Sequence, residues 1–345
     1  MPKILITGGT GYIGALTAVE ILAKGEHELI SLDNFHNSGP DSLERVEKIT
    51  GQQIKNYQVD AADKGALEKV FEENPDIDSI IHFAAMKAVG ESVELPLVYY
   101  RNNLVSLMNI LECCRDYGVK NFIFSSSCTV YGEVTSLPVT EDTPTQRPSS
   151  PYGTTKLVGE WMIEDFINTD PGFKAIALRY FNPVGAHETG LLGENPNNPN
   201  NLVPYITQVA AGQRPVLTVF GDDYETRDGS AVRDYIHVTD IALAHIMAVN
   251  YLNGDRNTDN FEIFNLGSGE GVSVLEAIQA FEQEANVPLN YQIGPRRPGD
   301  VSAIYSNPVK AADRLGWKAE KNINHMMGSA WKWQLNYLED QKVPG

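Results

Sequence analysis

Thr7-Gly-Gly-Thr-Gly-Tyr-Ile-Gly14 lies between the apolar run Lys3-Ile-Leu-Ile-Thr7 and a helical periodicity over 13–24. Strand, glycine turn and helix in that order predict a dinucleotide cradle. Gly8, Gly11 and Gly14 let the turn close tightly and let a pyrophosphate approach the backbone at a helix N-terminus. Asp33 stands 19 residues beyond Gly14, at the end of the next apolar run, Glu28-Leu-Ile-Ser-Leu-Asp33. A carboxylate there accepts from ribose hydroxyls and repels a 2′-phosphate, which favours NAD over NADP. The plainer alternative is a turn aspartate.

Beyond the cradle, the first half alternates strands and helices. Strand patterns fall at Ile54–Asp60, Ser79–Ala84, Asn121–Ser126 and Lys174–Phe181, and helical ones at 41–50, 63–74, 96–117 and from Tyr152 onward. That alternation predicts an α/β fold with a Rossmann-type, doubly wound parallel sheet over residues 1–181. Asp60 and Phe83-Ala-Ala-Met-Lys87, with Ala84 and Ala85, end the third and fourth strands, where the carboxyl edge of such a sheet meets its cofactor. A solvated loop lysine is the competing reading of Lys87. After Asn182 the rhythm breaks. Residues 187–201 are rich in Gly, Asn and Pro and read as an irregular loop. Helical stretches recur at 203–212, 239–251, 273–285, 308–315 and 324–339, with a late strand at Phe261–Leu266. Residues 182–345 are expected to form mainly a smaller α/β lobe, with part of 233–267 a candidate to rejoin the first sheet.

The chain has 345 residues, 42% hydrophobic and 21% charged, as an ordinary globule does. Its 45 acids outnumber 27 bases, for a net charge of −18. Broad electrostatic binding to nucleic acid or to an anionic membrane is therefore not expected. A local basic pocket for a phosphorylated small molecule remains compatible with that charge. Cys113, Cys114 and Cys128 form neither a disulfide framework nor a zinc spacing, and the seven histidines include no His-x-x-x-His, so no metal site is expected. A start that runs straight into a strand predicts no signal peptide, and no apolar run is long enough to span a bilayer. These features together predict a reducing, cytoplasmic compartment.

Ser149-Ser-Pro-Tyr-Gly-Thr-Thr-Lys156 carries the chemistry. Ser150 suits a helix N-cap and Pro151 its first turn, which puts Tyr152 and Lys156 on one face at i and i+4. Tyrosine ordinarily titrates near about 10, and an adjacent ammonium is expected to lower that value and favour the phenolate. An ordinary surface pair would have the same spacing. Phe122-Ile-Phe-Ser-Ser-Ser-Cys-Thr-Val-Tyr-Gly132 adds a serine cluster at the end of a buried strand. Its hydroxyls could pass a proton to Tyr152, or could serve only as caps and turn formers.

These segments resemble the extended short-chain dehydrogenase/reductase family, and within it the UDP-hexose 4-epimerases, over almost the whole chain. The resemblance rests on Gly8–Gly14, Asp33-Asn34, His82–Lys87 with Ala88-Val-Gly-Glu-Ser92, Ser125–Gly132 and Tyr152–Lys156. It rests most specifically on Arg179-Tyr-Phe-Asn-Pro-Val-Gly-Ala-His187 and Val232-Arg-Asp-Tyr-Ile-His-Val238. It implies that Ser127 bridges the sugar 4-hydroxyl, Tyr152 is the catalytic base and Lys156 holds the nicotinamide ribose. It further implies NAD contacts at Tyr12, Ile13, Asp33, Asn34, Ser38, Asp60, Ala61, Phe83, Lys87, Asn102 and Phe181. The implied UDP-sugar site comprises Asn182, Asn201, Leu202, Thr218, Phe220, Arg233, Arg297 and Asp300. Lys87 falls at the border of the two sites. A homodimer is implied as well. Arg233 and Arg297 independently suit a diphosphate, since a guanidinium offers forked donors, whereas surface salt-bridging better suits Arg296.

The implied reaction is NAD-dependent 4-epimerisation that interconverts UDP-glucose and UDP-galactose through a transient 4-keto sugar. A nucleotide-sugar 4,6-dehydratase shares the oxidation but has Asp-Glu where this chain has Cys128 and Thr129. A UDP-glucuronate epimerase or decarboxylase needs a cation for the C6 carboxylate, and no residue clearly marks one. A non-catalytic NAD sensor is disfavoured by the retained Ser127, Tyr152 and Lys156. In the family, the residue four after the Arg-x-Gly-Asp aspartate gates the N-acetyl pocket. Here that residue is Ile304, which predicts partial tolerance of UDP-GlcNAc and UDP-GalNAc; a plain aliphatic pocket wall is the alternative.

Overall fold

The computed structural model describes residues 1–194, 199, 201–297 and 300–342. Residues 195–198 and 200 of the expected irregular loop, and Pro298 and Gly299 of the Arg-x-Gly-Asp segment, lie outside the described residues. The first half runs β1 (Lys3–Thr7), α1 (Tyr12–Lys24), β2 (Glu28–Leu32), α2 (Asp41–Thr50), β3 (Lys55–Tyr57) and α3 (Lys64–Glu73). It continues with β4 (Ile77–His82), α4 (Val89–Glu94), α5 (Pro96–Tyr117), β5 (Asn121–Ser127), α6 (Pro151–Thr169) and β6 (Lys174–Tyr180). Then follow β7 (Asn182–Val184), α7 (Leu202–Ala210), β8 (Leu217–Phe220), β9 (Val232–His237), α8 (Val238–Asn253) and β10 (Phe261–Leu266). The chain ends with β11 (Gly271–Ser273), α9 (Val274–Ala285), β12 (Tyr291–Gly294), β13 (Ala303–Ile304), α10 (Val309–Leu315) and α11 (Ile323–Asp340).

Seven parallel strands form the main sheet in the order β3-β2-β1-β4-β5-β6-β10. The chain winds outward from β1 to β3, then restarts at β4 and winds the other way. The crevice between β1 and β4 is thus the switch point at which such sheets bind ligands. Period-two alternation splits the core between the two faces. Ile4 and Ile6 of β1 pack under α1 and α8, whereas Leu5 packs with α3 and α5. The strand β10 pairs with β6, and α8 lies against α1, so part of the second half completes the first sheet. A smaller sheet orders β11-β9-β13 with β7 also on β9, and β8 pairs with β12.

Beyond the short strands β7, β8 and β11–β13, which no sequence pattern marked, three strands differ from the sequence expectation. The pairing of β4 ends at His82 rather than Ala84, because the amides of Phe83 and Ala84 both turn to the Thr7 carbonyl, at 2.9 and 3.1 Å. As the sheet's edge strand, β3 pairs only over Lys55–Tyr57 instead of Ile54–Asp60. Val232–His237, singled out as a motif, proves to be the central strand β9 of the smaller sheet.

The indole of Trp317, 2% exposed, donates to the Asp240 carbonyl at 2.7 Å and ties the first turn of α8 to the segment leading to α11. Trp317→Ala is expected to cost about 3–5 kcal/mol, read as a lower denaturation midpoint at unchanged m-value.

Candidate active site

The glycine turn is shaped by contacts that exclude side chains. Gly8 has φ +74°, and a Cβ there would stand 2.8 Å from the Ala84 nitrogen across the switch point. A Cβ on Gly14 would meet the Gly8 carbonyl oxygen at 2.2 Å. The N-cap of α1 is Gly11, with no side-chain cap, so the first-turn amides of the helix face the crevice open to an anion. Asp33 follows β2 and is 8% exposed. Its carboxylate accepts from the Thr10 amide at 3.1 Å, the Phe35 amide at 2.9 Å and the Ser38 hydroxyl at 3.3 Å. Thr10 and Ser38 are themselves joined at 2.6 Å. The carboxylate is thereby fixed against the glycine turn, in the arrangement a dinucleotide ribose requires. Together the side-chain-free turn, the uncapped helix start and the oriented acid fit NAD.

The remaining cofactor candidates divide. Tyr12 and Ile13 open α1, and the Tyr12 hydroxyl donates to the Gly185 carbonyl at 2.6 Å. Phe83 lies against His245, with ring centroids 4.6 Å apart, and Ala84, followed by Ala85, abuts the glycine turn. Asn34 and exposed Asp60 each close a local turn, on the amides of His36 and Ala62. Ala61 is buried. Lys87 is not a free loop lysine: its ammonium is 2.9 Å from Glu194 Oε1 and 5.7 Å from the Tyr12 ring centroid. Asn102 donates to its neighbour Asn103 at 2.9 Å. Asn103, which the sequence reading passed over, binds both Met86 backbone groups and Thr155 Oγ1, and so ties the loop after β4 to α6. Its only signal was the Asn-Asn doublet on the apolar α5 pattern.

Ser127, Tyr152 and Lys156 converge at the end of β5. The Ser150 hydroxyl caps α6 on the Gly153 amide at 3.2 Å, with Pro151 in the first turn. Ser127 Oγ accepts from the Thr129 amide at 3.2 Å and the Thr129 hydroxyl at 3.0 Å, leaving its own proton to donate. Lys156 Nζ donates to the Ser125 carbonyl at 2.6 Å and lies 5.9 Å from the Tyr152 ring centroid. Burial lowers the Lys156 ammonium to about 7, with Glu160 pulling upward. Burial likewise pushes the Tyr152 phenol up to about 12; nearby Cys128 adds to the rise and the Ser127 hydroxyl opposes it. The expected lowering of the phenol by Lys156 is therefore not met in the protein itself. Desolvation outweighs a cation whose hydrogen bond is directed to a backbone carbonyl.

On the far side of the crevice, Arg233 on β9 donates to Asp300 Oδ1 and to the Val232 carbonyl. Arg297 lays its guanidinium 4.1 Å from the Phe220 ring centroid. Thr218, also on β8, receives Gln292 at 3.3 Å, and Arg296 pairs with Asp223 at 2.7 Å. Asn182 begins β7 beside Tyr235. Asn201 and Leu202 open α7, with the Asn201 amide 3.3 Å from Glu194. Ile304 is paired in register with Arg233 and is buried with Val130, Tyr131, Leu157 and Phe181, with Cys128 packed alongside. That cluster joins the end of the catalytic strand to the arginine side. The Cys128 thiol is raised by burial to about 12, and Thr129 donates its hydroxyl to Ser127. Neither can replace the acidic pair of a dehydratase.

Residues 5–329 match the family described as GDP-mannose 4,6 dehydratase. The UDP-glucose 4-epimerase of Haemophilus influenzae is 49% identical over 334 residues, 96% of this chain and 97% of that one. A UDP-glucose 4-epimerase from Bifidobacterium longum, solved in complex with NAD+ and UDP, superposes with a TM-score of 0.92 at 49% identity, covering 97% of this chain and 98% of that one. The UDP-Glc/GlcNAc 4-epimerase of Campylobacter jejuni superposes with a TM-score of 0.84 at 37% identity, covering 97% of this chain and all (100%) of the other. Asp33→Ala is expected to lower the NAD retained through purification, read as bound nucleotide per chain after acid release; content equal to the parent would contradict the cradle. The chain belongs to the extended short-chain dehydrogenase/reductase family, among the UDP-glucose 4-epimerases.

Proposed function

We infer that this chain inverts C4 of UDP-hexoses, interconverting UDP-glucose and UDP-galactose. One observation supports this over the alternatives within the fold: the two positions after Ser127, where a dehydratase has its acids, hold Cys128 and Thr129. When bound, NAD accepts a hydride from C4 and returns it. Residues 1–181 bind NAD and residues 182–345 mainly the UDP-sugar, with 233–267 partly serving the first sheet. Tyr152 takes the 4-hydroxyl proton and gives it back, and Ser127 donates a hydrogen bond to the same oxygen. Lys156 holds the nicotinamide ribose and supplies positive charge that favours the phenolate, against the burial that raises the phenol. Arg233 and Arg297 anchor the diphosphate, with Asn182, Asn201, Leu202, Thr218, Phe220 and Asp300 around them. A firm UDP anchor leaves the 4-keto sugar free to turn and present its other face. Ile304, an aliphatic wall beside Phe181, admits UDP-GlcNAc and UDP-GalNAc in part.

Tyr152→Phe is expected to cut turnover about 10²–10⁴-fold while NAD content stays at the parent level. The readout is UDP-galactose conversion, with products separated so that a 4-keto-6-deoxy sugar would reveal a dehydratase instead. Full turnover by the variant would overturn the role of Tyr152.

We further propose a homodimer through α5 and α6, which pack side by side. Leu97 is 74% exposed, Met108 45% and Trp161 53%, an apolar face that a two-fold axis would bury against its own copy. Leu97→Glu with Trp161→Glu is expected to halve the mass by light scattering; an unchanged mass would place the interface elsewhere. The free cysteines, two of them buried, suit the cytoplasm.

A further inference from the structure

Behind the catalytic serines lies a buried ion pair to which the reaction as described gives no task. Glu160 and Arg179 have side chains only 4% and 3% exposed. Arg179 donates to Glu160 through Nε at 2.9 Å and Nη2 at 2.6 Å. Glu160 Oε1 also accepts from Ser126 Oγ at 2.5 Å. Arg179 Nη1 finds no hydrogen-bond partner among the described residues, and the guanidinium lies 4.8 Å from the Tyr131 ring centroid. A buried pair with an unsatisfied donor is a poor source of stability, because desolvating two charges costs about what their attraction returns. Its position is more informative. Ser126 sits between Ser125, whose carbonyl receives the Lys156 ammonium, and Ser127. Glu160 follows Lys156 by one turn of α6, on the same face.

We propose that Glu160, held by Arg179, is the positioning residue of the active site: it fixes the end of β5 through Ser126 and supplies the counter-charge for Lys156. This rests on the reading of Ser127, Tyr152 and Lys156 above. The other charged or titratable groups facing Lys156 are few. Arg179 and Tyr180 lie on β6, His82 on β4, Cys128 and Tyr131 in the turn after β5, Tyr99 on α5, and Tyr152 on α6 itself. Burial lowers His82 to about 3 and raises the tyrosines and the thiol. Glu160 is the anion whose charge raises the Lys156 ammonium, and Arg179 the cation that holds it.

The two parts of the proposal separate experimentally. In the holoenzyme, E160Q keeps the side-chain shape but loses the charge. Its alkaline limb of kcat is expected to fall by about one pH unit or more, with KM for UDP-galactose little changed. The alkaline midpoint of NAD retention on dialysis, read without turnover, should fall with it. The double variant E160Q/R179Q leaves no unpaired buried charge should E160Q fail to fold, and its limb is expected to lie between those of E160Q and the parent. S126A retains both charges, so kcat should drop about tenfold or more with no movement of the limb. A parental limb in whichever glutamine variant folds would overturn the counter-charge role, and parental kcat in S126A would overturn the positioning role. A parent enzyme that converts no UDP-hexose would instead count against the epimerase reading, while the dialysis midpoint would still test Glu160.

Discussion

The approach of Gly8 to the backbone of Ala84 is the constraint from which the rest of the site follows. The two chain segments can come this close because Gly8 carries no side chain and takes a left-handed φ that other residues resist. Thr7 binds the outgoing amides of Phe83 and Ala84, so β1 and β4 end together and the sheet opens at one defined place. The start of α1, the Asp33 carboxylate and the loop carrying Lys87 are all hung from that opening. A wider junction would leave the helix amides too far from the acid to serve one dinucleotide.

Local and global electrostatics point in opposite directions in this chain. The net charge of −18 would repel a sugar diphosphate at long range. In the proposed diphosphate site, Arg233 and Arg297 would offset this at close range, and Asp300 and the Phe220 ring hold their guanidinium groups. Near Lys156 the balance is finer, since burial lowers the ammonium to about 7. A single carboxylate behind the strand is enough to matter there because so little water competes with it.

What the sequence makes legible is what it encodes locally. The strand, glycine turn and helix of Lys3–Lys24 are contiguous, and the Ser150 cap and Pro151 lie beside the residues they organise, so all of these were readable. The strand β9 was not, because it carries Arg233 and Asp234 where a strand pattern wants apolar residues. Asp234 is tolerated there because it accepts from Ser268 and Ser306, 34 and 72 residues away. The same distance problem hid the partner of Lys87, which is 107 residues along the chain. The Tyr152 phenol was misjudged for another reason: spacing places Lys156 nearby but does not say where its ammonium points.

The return of α8 and β10 to the first sheet has a consequence for how such a protein can change. The chain leaves the main sheet after β6, builds part of the second lobe through β9, comes back for α8 and β10, and leaves again. A fragment ending at Phe181 would lack the strand that covers the edge of β6 and the helix that covers α1. Exchanging the second half between relatives would therefore require several matched junctions instead of one. Single substitutions avoid those junctions altogether, so such a protein changes more readily residue by residue than by shuffling whole lobes.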